Sequence, residues 1–435
     1  MLLEFTVGNF LSFENPVTLR LDASSITDYP ENTFEAGKTQ LLKSAAIYGA
    51  NSSGKSNLIH AMRTMRKIML DSAKLSSTDE IEVTPYLLNT QTENAPSFFE
   101  VLFFLNGQRY RYGFEVSVSK VHSEWLYHSK VKAEKMLFIR HHDGIEIADR
   151  KFPEGKNLES KTRDNALFLA VVDQFNGPTS GQIMEWFHRF AVISGLDHVH
   201  YRHLTFKMLK DKHLAPLLSS FIDQLDLGFT GIEVQELETI ADFPIDFPKE
   251  LIQELKEKLQ LQKTWRLQTI HPQYNEKREQ VGIKKFNLLE QESAGTNKLF
   301  DILGVFFDTL LNGGIIGIDE MDAKLHPILT KTLLQLFNSR ENNRQNAQLI
   351  FVTHDTNLLS YGRLRRDQIY FTEKTPLGAT DLYSLAEYKL AGKSVRKDRS
   401  FEKDYILGKY GAIPYLGDLS NIYEQWQEKL KSQTT

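Results

Sequence analysis

The chain has 435 residues, 41% of them hydrophobic and 25% charged, which suits a globular protein long enough for one large domain or two to three smaller ones. A net charge of -4 and a pI near 6.4 exclude a globally basic field of the kind that draws proteins onto nucleic acid, while leaving room for a local basic groove. The absence of cysteine excludes disulfides, thiolate metal sites and cysteine nucleophiles.

The N-terminus, MLLEFTVGNF, carries neither a basic n-region nor a long apolar h-region. No run of 18 apolar residues follows. The expectation is a cytoplasmic protein with no membrane partner.

The first strong motif is AIYGANSSGKSNL (46–58). Residues Gly49, Ala50, Asn51, Ser52, Ser53, Gly54, Lys55 and Ser56 fit G-x-x-x-x-G-K-[ST], and Asn57 follows directly. SAAIY (44–48) reads as a buried strand before it. Leu58, Met62, Met65 and Met69 recur at helical spacing after it. In this setting the glycines let successive N–H groups turn toward phosphate oxygens, and the helix N-terminus adds partial positive charge. Lys55 can reach the β- and γ-phosphates, and the Ser56 hydroxyl can ligate Mg²⁺.

Further along, SFFEVLFFLNGQRYRYGFEVS (97–117) alternates around Asn106-Gly107 and predicts a β-hairpin. EWLYHSKVKAEKMLFIRHHDG (124–144) predicts another strand pair. Residues 160–262 read as largely helical, with amphipathic stretches at 180–190, 213–225 and 248–262. They lack sustained heptads, so a compact lobe is expected and not a coiled coil. Within this region Asp197-His198-Val199-His200-Tyr201-Arg202-His203 invites a metal-ligand reading. Without paired carboxylates to support it, a polar surface segment is the preferred one. Residues 263–287 return to strand character.

Next, Ser293, Ala294, Gly295 and Thr296 open an amphipathic helix carrying Leu299, Ile302, Leu303 and Phe306. A small-residue helix start is an anion site, and its natural use is against the γ-phosphate held by a second subunit. GGIIGIDEMDAKLHP (313–327) then places an apolar strand before Asp319 and Glu320. Asp319 suits the Mg²⁺ shell, and Glu320 suits polarisation of the attacking water. In AQLIFVTHDTNLL (347–359), Thr353 and His354 end another strand, where His354 can hydrogen-bond the γ-phosphate or the water.

Loop, Ser-Gly helix start, Asp-Glu strand and His strand, in that order, resemble the motif set of ABC-type ATPases, and the SMC/RecF-like branch more than transporters. VGNFLSFENPVTLRL (7–21) looks like that branch's first strand pair, and Leu325-His326-Pro327 follows the acidic pair as it does there. LRRDQIYFTEK (364–374) and FEKDYILGKYGAIP (401–414) resemble the small AAA-family ATPases of bacterial phage defence, the RloA/AbiL-type proteins and relatives of the OLD ATPases. The resemblance spans roughly residues 1–150 and 285–415. Two departures stand out. The ESAGT signature has one glycine where relatives carry two, and no residue is assigned to the glutamine loop, Gln91 being only nearby in sequence order.

The resemblance implies an α/β fold: an ABC-type P-loop ATPase head, with a mixed central sheet and an antiparallel β lobe, plus a helical insertion. The expected domains are 1–155, the insertion 156–265, and 266–435. The implied cofactors are ATP and Mg²⁺, and the implied assembly is a homodimer or higher homo-oligomer closed around ATP. The implied role is control of a separate effector, a nuclease or toxin, in antiviral defence, with a phage-encoded trigger. The alternatives are a RecF/SMC-like repair ATPase binding DNA across the dimer, and a degenerate nucleotide-sensing scaffold. Intact Lys55, Asp319, Glu320 and His354 argue against the scaffold.

Overall fold

The computed structural model describes residues 1–130, 133–225, 227–238, 263–361, 363–390, 392–396, 398–414, 422, 423 and 426. The first half contains β1 (Leu2–Gly8), β2 (Val17–Arg20), β3 (Thr33–Ala36), β4 (Thr39–Leu42) and β5 (Ser44–Gly49). Then come α1 (Lys55–Asp71), β6 (Ser97–Leu105), β7 (Gln108–Val116), β8 (Val121–Ser129), β9 (Lys135–His141) and β10 (Gly144–Ile147). Later strands are β11 (Phe190–Ser194), β12 (Ile232–Glu238), β13 (Lys263–Tyr274), β14 (Gln280–Asn287), β15 (Ile315–Asp319), β16 (Gln348–Val352), β17 (Ile369–Lys374) and β18 (Thr380–Ser384).

The central sheet runs β11-β15-β16-β5-β17-β18, parallel except for β18 at its edge. Its strands are short apolar runs because both faces are covered. The pleat sends alternate residues to opposite faces. Ala45, Ile47, Ile315, Ile350 and Val352 join Leu58, Met62, Met65 and Met69 of α1 in one core. Ala46, Tyr48, Ile316, Ile318, Leu349 and Phe351 join Leu299, Ile302, Leu303 and Phe306 in the other. Thus α1 and the signature helix (Ala294–Asn312) lie on opposite faces of one sheet. Each fully buried Leu, Ile, Val, Phe or Met of these stripes contributes about 1.5–3 kcal/mol.

The antiparallel lobe is a second sheet, β10-β9-β8-β7-β6-β1-β2. The β6–β7 hairpin turns at Asn106 (φ 49°) and Gly107 (φ 74°), both left-handed as a type I′ turn requires. Gln348 ties the lobe to the central sheet. Its side chain accepts from Leu2 N at 2.6 Å and donates to Leu2 O at 2.9 Å and Leu42 O at 3.1 Å.

The expected helical lobe over 156–265 needs correction. Helices Phe168–Gln174 and Pro178–His188 are present, but Phe168, Leu169, Ile183, Trp186 and Phe187 are part of the first core. Phe190–Ser194, which begins at the last residue of the amphipathic stretch 180–190 and lies in the region read as largely helical, is strand β11, the parallel edge partner of β15. A run of four apolar residues, Phe190 to Ile193, fits strand and helix alike, and pairing decides between them. Helices Arg202–Lys210 and Leu214–Gln224 follow, then β12, which pairs with β13, itself paired with β14, in a small antiparallel sheet. The stripe at 248–262 lies outside the described residues.

Candidate active site

β5 is buried along its whole length and delivers Gly49 to the loop; Lys55 opens α1. Gly54 has φ 103°, and a Cβ there would stand 2.1 Å from Thr380 Oγ1, so only glycine fits. Lys55 is buried, and its Nζ donates to the carbonyls of Gly49 (2.9 Å) and Ala50 (2.7 Å). Burial lowers its pKa, while the charges of Asp319, Glu320 and Asp322 act in the opposite sense.

Three residues that sequence reading missed hold the loop in shape. Thr372 Oγ1 lies 2.6 Å from Ser53 Oγ. Thr380 Oγ1 lies 2.9 Å from the Ser53 carbonyl and 2.8 Å from Ser12 Oγ. Asn57 Nδ2 donates to Ser12 Oγ at 2.7 Å. No local pattern marks these residues, because they come from the N-terminal lobe and from β17–β18.

β15 ends at Asp319, and Ser56 Oγ donates to Asp319 Oδ1 at 3.0 Å. A hydroxyl and a carboxylate converging in this way are hard oxygen donors, which fits Mg²⁺. Glu320 leaves the strand in the left-handed region (φ 49°), at a cost of about 1–2 kcal/mol for a residue with a Cβ. Contacts on several sides hold it there. Gly195 N donates to Asp319 O at 2.7 Å, and a Cβ on Gly195 would come within 2.2 Å of Glu320 O. Met321 N donates to Val352 O at 3.1 Å. His354 is exposed, and its backbone N–H is 3.3 Å from both Asp322 carboxylate oxygens. The loop, the acidic pair and His354 therefore cluster at the C-terminal ends of β5, β15 and β16.

The signature start has a different setting. Ser293 caps its helix, its Oγ accepting from Thr296 N at 3.1 Å. Ser293 and Ala294 are exposed, whereas Gly295 is crowded by the Lys324 carbonyl. Just upstream, Glu292 accepts from Thr269 Oγ1 (2.5 Å) and pairs with His271 Nε2 (2.8 Å), anchoring the start to β13. Gln91 is exposed on the loop before β6.

The 197–203 segment is the polar surface segment expected from sequence at Asp197, His200 and His203, which are exposed, with one buried exception. His198 is buried, and its Nδ1 lies 2.7 Å from Asp301 Oδ2. Arg202 donates to the same carboxylate at 2.6 and 3.0 Å. Asp301 has no exposed surface, so the Arg202 guanidinium compensates a carboxylate buried in the signature helix, and the His198 ring adds a second polar contact. His200 and His203 are exposed. Among the described residues no group of three or more His, Asp or Glu is placed to hold a metal ion, and no helix is long and apolar enough to cross a membrane.

A family model described as "AAA domain, putative AbiEii toxin, Type IV TA system" matches residues 44–360, from β5 to the helix after His354. No curated protein matches the chain.

Proposed function

The chain belongs to this AAA domain family, which points to ATPase activity, and from that premise we propose that it binds ATP with Mg²⁺ at residues 49–57 and hydrolyses it between two copies of itself. The observation that carries this reading is the 3.0 Å contact between Ser56 and Asp319 beside buried Lys55.

Mg²⁺ supplies charge neutralisation at the β- and γ-phosphates, and Ser56 and Asp319 are the residues to hold it. Lys55 exchanges its two carbonyl partners for phosphate oxygens. Glu320 polarises the attacking water, and His354 bonds the water or the γ-phosphate. Ser293, Ala294, Gly295 and Thr296 of the second copy cap the γ-phosphate; the exposure of Ser293 and Ala294 supports that use.

The output of such a machine is conformational, since closure around ATP presents a different surface from the open state. We read the role as control of a separate nuclease or toxin in antiviral defence. The toxin–antitoxin wording of the family description supports an effector partner.

The test is ATP hydrolysis by the purified chain. Lys55→Ala should abolish nucleotide binding. Glu320→Gln should keep binding and slow hydrolysis by about 10²–10⁴-fold. Wild-type turnover in Glu320→Gln overturns the assignment.

A further inference from the structure

Lys298, in the second turn of the signature helix, has no exposed surface. Its Nζ donates to the carbonyls of Glu320 (2.9 Å), Met321 (3.1 Å) and Ala323 (2.7 Å). All three donors of the ammonium are therefore spent on one turn, the one that follows Asp319. Burial is costly for this cation and pushes its pKa down to about 8, against the nearby charges of Asp322 and Glu320. A methionine would fill similar space without desolvating a charge. The ammonium adds a directional three-way link.

Two further contacts reinforce that link. A Cβ on Gly295 would come within 2.5 Å of the Lys324 carbonyl, so the helix start sits directly on the end of the same turn. One turn beyond Lys298, Asp301 is clamped by His198 and Arg202 from the segment after β11, while Gly195 of that segment bonds Asp319 O. The helix start and residues 319–324 thus cannot shift independently without breaking buried, charge-assisted bonds.

We propose that Lys298 is a positioning residue that locks the signature helix to the acidic turn of its own chain, so that ATP engaged by the signature at one composite site sets Glu320 at the other. The inference rests on the two-copy reading above. In that arrangement each site takes Lys55, Asp319 and Glu320 from one chain and Ser293–Thr296 from the other. A chain's signature and its Glu320 then serve different sites, and Lys298 joins them. Coupling between sites is reciprocal in binding, so the two sites respond to ATP together.

The experiment uses the full chain and ATP with Mg²⁺. ATP-dependent dimerisation in the Glu320→Gln background reads the two-copy arrangement separately. Rate against ATP concentration reads the coupling. The wild type should be sigmoidal, with a Hill coefficient of about 1.5 or more. Lys298→Met should be hyperbolic while still binding nucleotide and dimerising with ATP, and Lys298→Arg should restore part of the sigmoidicity. A hyperbolic wild type that does dimerise, or a Lys298→Met protein as sigmoidal as wild type, overturns the coupling and leaves Lys298 a support for its turn. Absence of any ATP-dependent dimer overturns the two-copy reading, and the coupling with it. If Lys298→Met yields no folded protein, amide exchange decides. ATP should slow exchange at 320–324 in Glu320→Gln, and adding Ser293→Arg should remove that protection. Protection unchanged by Ser293→Arg overturns the proposal.

Discussion

Ser56 Oγ and Asp319 Oδ1 meet at 3.0 Å across 263 residues of sequence. The contact joins the first turn of α1 to the end of β15 and sets a hydroxyl and a carboxylate side by side, where neither would bind a cation well alone. Removing the hydroxyl leaves Lys55 and the loop backbone in place. Ser56→Ala should therefore keep ATP binding but raise the Mg²⁺ concentration for half-maximal hydrolysis about tenfold or more. A magnesium titration of the ATPase rate checks this, and an unchanged midpoint would remove Ser56 from the cation shell.

Gly54 and Gly107 both have positive φ, 103° and 74°, in different surroundings. A Cβ at Gly107 meets nothing within 4 Å, whereas one at Gly54 meets Thr380 Oγ1 at 2.1 Å. Gly107→Ala should cost only the backbone strain, about 1–2 kcal/mol. Gly54→Ala should cost more than that in urea unfolding and also lose ATP binding. Equal losses of stability for the two would show that Thr380 yields readily.

Ser293 is exposed and caps its helix through its own hydroxyl. Ser293→Arg removes the cap, at about 1 kcal/mol, and puts a bulky cation where a second copy would close. Nucleotide binding by the single chain should persist, and ATP-driven association in the Glu320→Gln background should disappear. Size-exclusion profiles with and without ATP decide; an unchanged ATP-dependent dimer would refute the two-copy site.

His198 and Arg202 both contact the buried Asp301 carboxylate. Asp301→Ala strands the two basic groups and should cost about 3–5 kcal/mol. Chelators should leave the unfolding midpoint of the wild type unchanged. A fall in that midpoint with EDTA would revive the metal reading of residues 197–203.

Lys43 is buried with its Nζ 3.2 Å from Ser339 O. Desolvation, and then Arg340, lower its pKa from 10.5 to about 8. Between those values the unfolded chain holds a proton that the folded chain has released. Raising the pH from 8 to 10.5 therefore favours folding, and the gain is lost as pH falls through 8. Lys43→Met should remove about 1–3 kcal/mol of that rise. Parallel pH dependences of wild type and Lys43→Met in urea unfolding would contradict the assignment.

Sequence alone determined what is encoded between near neighbours. The glycine-rich loop at 49–56 is legible because glycine, lysine and hydroxyl stand at fixed spacing between a strand and a helix. The Asn106-Gly107 turn is legible because both residues accept positive φ, and α1 and the signature helix because their apolar residues repeat at helical spacing. Asp319, Glu320 and His354 could be named because each ends a short apolar run. The tertiary structure alone decided what depends on distant partners. It made Phe190–Ser194 a strand by giving it β15 to pair with. It recruited Ser12, Thr372 and Thr380 to hold the loop, buried His198 against Asp301, and aimed Lys298 at the turn after Asp319. Local backbone preferences extend only a few residues, whereas these contacts are selected when sheet pairing and burial bring remote polar groups together and desolvation obliges each to find a partner.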